Sequence, residues 1–197
     1  QSAAYFAFPF DRTHWQAVLV QAVAAGGAQR VRALLHSDGR VEVSSTALPS
    51  ALPTQPDAWL QPPKEDAPHE AAQSFVLAAA PITAGELAAP WLYHKTTQRQ
   101  VYAQARQGQE QVFDTLLYNE AGQLCEFTIG NVVLQIDGVW YTPPIACGLL
   151  PGVLRGELLA RGVLQERTVT VDDLARAQAV WLINSVRGWV KMQKSAP

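Results

Sequence analysis

The chain has 197 residues, of which 48% are apolar and 16% charged, and its formal net charge is −2. That length can bury a core of its own, the apolar share excludes a disordered chain, and the near-neutral charge argues against the basic face of a nucleic-acid binder. No apolar run reaches the roughly 20 residues of a membrane span, and Cys125 and Cys147 are too few for a disulfide framework or a four-ligand metal site, so both are expected as free thiols of a cytoplasmic protein that holds no metal.

The chain opens at Gln1 on an aromatic run, Tyr5-Phe6-Ala7-Phe8-Pro9-Phe10, where a terminus is usually polar and loose, so a fragment lacking an upstream neighbour is expected. Asp11 or Thr13 can N-cap a helix whose apolar face is Trp15, Val18, Leu19 and Val23, with Gly26-Gly27 as its stop. Alternation over 31–35 and 41–43 around Asp38-Gly39 predicts a hairpin. Residues 47–72 hold Pro49, Pro53, Pro56, Pro62, Pro63 and Pro68 and predict an irregular surface excursion anchored by Trp59 and Leu60.

A short buried strand is expected over 75–80, followed by a connector from Pro81 to Pro90. That connector divides a small subdomain, 1–82, from a larger one, 91–197. Beyond it the pattern predicts a helix over 96–106, strands over 112–118 and 124–128 with a turn at 119–122, and a hairpin over 131–136 and 139–142 through Asp137-Gly138. A helix over 152–161 ends near Gly162, Thr-Val-Asp-Asp at 170–173 opens a short helix, and 180–183 is the last strand. Hairpins dominate among mixed helices and strands, which predicts an α+β fold.

Four positions could carry chemistry. Lys95 lies between a buried-looking stretch, Trp91-Leu92-Tyr93, and a helix. It is either an entry lysine whose stem packs while its amine reaches water, or a desolvated amine able to form an imine. Glu126 lies in an apolar strand; facing outward it is an ordinary surface residue, and facing inward it needs a cationic partner. Pro151-Gly152 leads into a helix whose first amides, at Val153 and Leu154, suit a phosphate, although many loops enter helices in this way. Asn184-Ser185 follows a buried strand and could donate to the same anion. His14, His36, His69 and His94 are scattered and read as surface or capping residues.

Lys95, Glu126-Phe127-Thr128-Ile129-Gly130-Asn131, Trp140-Tyr141-Thr142 and Leu150-Pro151-Gly152-Val153-Leu154-Arg155, in that order, resemble the class IV pyridoxal-phosphate enzymes. These comprise branched-chain and D-amino-acid aminotransferases and 4-amino-4-deoxychorismate lyase. Val133 and Trp140 depart from the family's usual aromatic and aliphatic residues.

His94-Lys95-Thr96 and Asn184-Ser185-Val186-Arg187-Gly188-Trp189 look most like the lyase fused to an aminodeoxychorismate synthase component. The resemblance implies a two-subdomain aminotransferase-type fold with its N-terminal part truncated. It implies pyridoxal 5′-phosphate held covalently by Lys95, with Glu126 on the pyridine nitrogen and Gly152, Val153, Leu154, Asn184 and Ser185 around the phosphate. Thr128 and Arg187 would face substrate. A homodimer and a synthase partner, fused or bound, are implied in the same way.

Overall fold

The computed structural model describes residues 1–23, 29–48, 56–63 and 71–195, so the expected Gly26-Gly27 stop lies outside the described residues. The chain divides into two compact units, Gln1–Thr54 and Gln55–Pro197.

The first unit holds α1 (Ser2–Tyr5), α2 (Arg12–Val23) and an antiparallel hairpin of β1 (Gln29–Leu35) and β2 (Val41–Ala47). Asp11 is the cap of α2: its Oδ1 accepts the amides of Thr13 at 2.8 Å and His14 at 3.2 Å. The expected apolar stripe is half-buried at Trp15, Val18 and Leu19, whereas Val23 is exposed, and α2 has no fully buried residue. Asp38 accepts the Arg40 amide at 2.9 Å inside the hairpin turn.

The second unit contains, in chain order, β3 (Gln73–Leu77), α3 (Ala84–Leu87), α4 (Gln100–Arg106), β4 (Asp114–Tyr118), β5 (Leu124–Phe127), β6 (Gly130–Ile136), β7 (Val139–Thr142), α5 (Val153–Ala160), β8 (Gln165–Glu166), β9 (Ala179–Asn184) and β10 (Gly188–Lys194). Its strands form one sheet in the order β5-β4-β3-β10-β9-β6-β7-β8, and β5 also pairs with β6. That last pairing closes β5, β4, β3, β10, β9 and β6 into a barrel, with β7 and β8 as an extension, and closure leaves β5 without a free edge.

Phe75, Leu116, Leu124, Phe127, Val132, Leu134, Leu182 and Met192 pack into one core, with the Phe75 and Phe127 rings edge to face at 5.3 Å. A second core lies under α5, where Leu154 and Leu158 meet Val133, Trp181 and Ile183. A third gathers Ile82, Leu92, Tyr102, Leu117 and Cys125 beside α4.

Three sequence expectations change. The helix expected over 96–106 starts at Gln100, because the Thr96 hydroxyl takes the Gln98 amide at 3.2 Å and offers the backbone a turn instead. The strand at 180–183 is not the last, since β10 runs between β9 and β3. Lys191 and Gln193 are exposed on one side while Val190 and Met192 pack into the first core on the other, so a polar-looking tail is a strand with alternating sides. Phe75–Leu77 pairs with β4, which places that strand in the second compact unit rather than with residues 1–54.

Of the expected excursion over 47–72, residues 49–55 and 64–70 lie outside the described residues; within the described part Pro56–Leu60 forms a 3₁₀ turn whose Trp59 and Leu60 pack on the α5-side core, and Trp59 lies against Gly188. Gly188 has φ +66°, and a Cβ there would collide with the Trp59 ring. Gly188→Ala should therefore lower stability by roughly 2 kcal/mol or more, measured as a shift in urea midpoint. In a Trp59→Ala background, Gly188→Ala should cost less than it does in the native chain, by the steric part, and keep the conformational part.

Candidate active site

Glu126 owes its position to a bulge. Leu116 pairs with Phe127 and Tyr118 with Leu124, so two steps along β4 face three along β5. The extra residue lets Leu124 and Phe127 both enter the barrel core and turns Cys125 and Glu126 away from it, towards α4. Glu126 is 4% exposed. Its Oε1 accepts the Tyr102 hydroxyl at 2.7 Å and the Leu150 amide at 3.1 Å, and its Oε2 accepts Asn131 Nδ2 at 3.3 Å. Burial pushes the carboxyl up to about 8, against the opposing pull of Tyr102, Leu150, Arg99 and Lys95, so desolvation outweighs the donors.

Lys95 is exposed, in the irregular segment ahead of α4, and its charge is near enough to favour ionised Glu126. Arg99 follows on the same segment. Its guanidinium lies 4.5 Å over the Tyr102 ring, and its Nη2 donates to the Thr128 carbonyl at 2.5 Å. Two cations and a buried carboxylate therefore share one region of the second unit.

The start of α5 is docked onto that carboxylate. Asn131 Nδ2 donates both to Glu126 and to the Leu150 carbonyl, the latter at 2.8 Å. A Cβ on Gly152 would run into Asn131 Oδ1, so glycine is the residue that lets the loop approach. Gly152 is the N-cap and carries no side-chain cap; the first intrahelical bond runs from the Gly156 amide to the Gly152 carbonyl at 2.9 Å. The amides of Val153 and Leu154 thus have no acceptor within the helix, as an anion at this end requires. Val153 is 74% exposed while Leu154 is buried. Arg155, of the same motif, is buried and donates to the Pro143 carbonyl at 2.7 Å and to Glu166, which ties α5 to β7 and β8.

Asn184 is built into the β9–β10 turn: its Oδ1 accepts the amides of Val186 and Arg187 at 2.9 and 2.8 Å, and its Nδ2 donates to the Ile129 carbonyl at 3.0 Å. Ser185 is exposed at the tip of that turn. Arg187 is half-buried with its guanidinium 6.0 Å from the Phe113 ring centroid. Thr128 is buried, and its hydroxyl donates to Asp114, whose other oxygen accepts the Ile129 amide at 3.2 Å.

The structure thus brings Glu126, Asn131 and the α5 start into direct contact, with Lys95 in their field. The Asn184 side chain joins the β9–β10 turn to the β5–β6 turn. Sequence reasoning assigned no role to Tyr102, Arg99 or Asn131. Arg99 is the N-cap of α4 and Tyr102 lies in its first turn, so no periodic pattern in the sequence marks them as a pair.

The raised carboxyl has a consequence for stability. A carboxyl ordinarily near 4.5 that stands at about 8 when folded makes the native state bind the extra proton between those values. Its contribution is therefore complete below about 4.5 and is lost as pH rises towards 8. In cofactor-free protein, Glu126→Gln should gain stability over the native chain by more than about 1 kcal/mol as pH is raised from 5 to 8, measured by urea unfolding across that range.

The model of the family described as amino-transferase class IV matches residues 1–194. A Schizosaccharomyces pombe protein provisionally named an aminodeoxychorismate lyase is 35% identical over 105 residues, which is 50% of this chain and 46% of that protein. The aminodeoxychorismate lyase of Saccharomyces cerevisiae is 33% identical over 117 residues, covering 49% of this chain and 31% of the yeast protein. The matched regions thus span less than half the length of either relative. A Mesorhizobium loti structure, provisionally named an amino-acid aminotransferase, superposes with a TM-score of 0.82 at 34% identity, covering 98% of this chain and 86% of the other. A bulged barrel strand with a buried glutamate, a lysine in its field and a glycine-started helix docked against it are arranged here in the fold to which these comparisons point, and the chain belongs to the class IV aminotransferase family of pyridoxal-phosphate enzymes.

Proposed function

We propose that this chain is a pyridoxal-phosphate-dependent carbon–oxygen lyase that converts 4-amino-4-deoxychorismate into 4-aminobenzoate and pyruvate, a step of folate biosynthesis. The observation that carries the reading is the buried Glu126 carboxylate, held by Tyr102, Leu150 and Asn131 within the field of Lys95. The residues present fit the cofactor. Among the described residues Glu126 Oε2 accepts one long hydrogen bond, which leaves it a further lone pair. The amides of Val153 and Leu154, which lack acceptors within α5, would take the phosphate, Ser185 is assigned to it as a further donor, and Gly152 provides the close approach of the α5 loop to Asn131.

The cofactor, when bound, supplies an electron sink for the carbanion formed at the amine-bearing carbon. Glu126 would keep the ring nitrogen protonated, which maintains that sink. Lys95 would hold the cofactor, yield its place to the substrate amine and then take the proton from the substrate carbon. Loss of that proton drives the enolpyruvyl group off through its carbon–oxygen bond. The ring would become aromatic, the proton taken by Lys95 would pass to the methylene of the departing enolpyruvate to give pyruvate, and the free Lys95 amine would then displace 4-aminobenzoate by resuming its hold on the cofactor. Arg187 is assigned to a substrate carboxylate by bidentate pairing, and Thr128 to the substrate side of the site. A cytoplasmic homodimer, and association with an aminodeoxychorismate synthase component, follow from the family resemblance.

A second reading is favoured by the Mesorhizobium loti neighbour: a class IV aminotransferase, in which Lys95 returns the proton to the cofactor side and a keto acid completes the cycle. The two differ in stoichiometry. The lyase should release pyruvate and 4-aminobenzoate in equal amounts from 4-amino-4-deoxychorismate with no keto acid added; release only when a keto acid is present would overturn the lyase. Lys95→Ala should lower the rate by at least about 10²–10⁴-fold and abolish the borohydride-reducible visible band of protein incubated with pyridoxal 5′-phosphate.

A further inference from the structure

We propose that Arg99 and Tyr102 form a positioning brace for Glu126, which occupies one carboxylate oxygen and leaves the other turned towards the ring nitrogen of the cofactor. This rests on the reading of Glu126 given above. Oε1 accepts two donors, the Tyr102 hydroxyl at 2.7 Å and the Leu150 amide at 3.1 Å, whereas among the described residues Oε2 accepts Asn131 alone, at 3.3 Å. The two oxygens of one carboxylate are thereby made unequal, and an added N–H finds its lone pair on Oε2.

The shortest of these bonds depends on Tyr102, the buried residue of α4, which packs with Ile82, Leu92, Leu117 and Cys125. Arg99 fixes it from above. Its guanidinium covers the ring face at 4.5 Å, and its Nη2 grips the Thr128 carbonyl, two residues beyond Glu126 on the same chain. The start of α4 is thus pinned to the bulged β5 segment at two points, one through the hydroxyl and one through the guanidinium. A cation over the face also makes the phenol a stronger donor. The ionisable groups around Glu126 are Tyr102 from α4, Arg99 and Lys95 from the segment before it, and Cys125 beside it on β5. Neither Arg99 nor Tyr102 is asked to touch the reacting atoms; each acts through Glu126.

The test begins with cofactor-free protein carrying carboxyl-¹³C glutamate, with the Glu126 resonance identified by its loss in Glu126→Gln. The native midpoint is expected near 8. Tyr102→Phe removes a donor to the charged form and should raise the midpoint by roughly one pH unit. Arg99→Met should move it in the same direction, and Arg99→Lys should restore part of the shift. Midpoints in Tyr102→Phe and Arg99→Met equal to the native one would overturn the brace. Should Tyr102→Phe fail to fold, the exposed Arg99→Met decides alone. In protein loaded with pyridoxal 5′-phosphate, Tyr102→Phe should lower kcat by about tenfold with KM within about twofold; an equal fall in kcat/KM through KM alone would overturn it. Full kcat in Glu126→Gln, with the midpoint shifts intact, would instead overturn the ring-nitrogen reading of Glu126 and with it the assignment of Oε2.

Discussion

The carboxylate at position 126 has to be withdrawn from water and still be supplied with donors, and much of the second unit is arranged around that requirement. Isolated burial of a charge is expensive, so the group either neutralises or is surrounded. Here it is partly both: its proton affinity is raised by desolvation, and three hydrogen bonds come from three separate elements. One donor is on α4, one on β6 and one in the loop before α5. Each of those elements has its own reason to be where it is, in the three apolar clusters, and the carboxylate is the point at which they meet.

The closed barrel explains how such a meeting point can be rigid. With β5 paired to both β4 and β6, the bulged strand has no loose edge and its irregularity cannot relax by slipping. The bulge exchanges one ladder position for the freedom to put Leu124 and Phe127 on the inside together. Cys125 and Glu126 then face the α4 side, where Cys125 donates to the Cys147 carbonyl at 2.9 Å and burial raises its thiol. Neither cysteine is disulfide-bonded, and both serve as small packed groups beside the site.

Asn131 gives the site a second level of order. Its amide group joins the carboxylate to the loop that starts α5, while its carbonyl oxygen sits where any side chain larger than glycine at position 152 would be. The buried carboxylate and the glycine-started end of α5 therefore share one side chain. In the proposed function, a cofactor held by these two groups would keep its alignment with Lys95 because they do not move independently.

Much of this was legible in the chain. Turn residues and alternation located the hairpins, a Pro-Gly step located the start of α5, and the order of lysine, glutamate, asparagine and Leu-Pro-Gly motif pointed to the family. Such features are local: a glycine in a turn or an acid three residues past a threonine acts within one or two turns of backbone. The direction in which Glu126 faces was not legible, because a strand's alternation is broken by a bulge that exists only when β4 is alongside. The strand over 188–194 was hidden for a related reason, since β10 gains its meaning from β3 and β9 on either side. Tyr102 and Arg99 became site residues only when α4 was laid over β5. Residue type and spacing decided which chemistry the chain could hold, and tertiary packing decided which oxygen, which ring and which amide would be brought together, because desolvation and hydrogen-bond reach depend on neighbours that are distant in sequence.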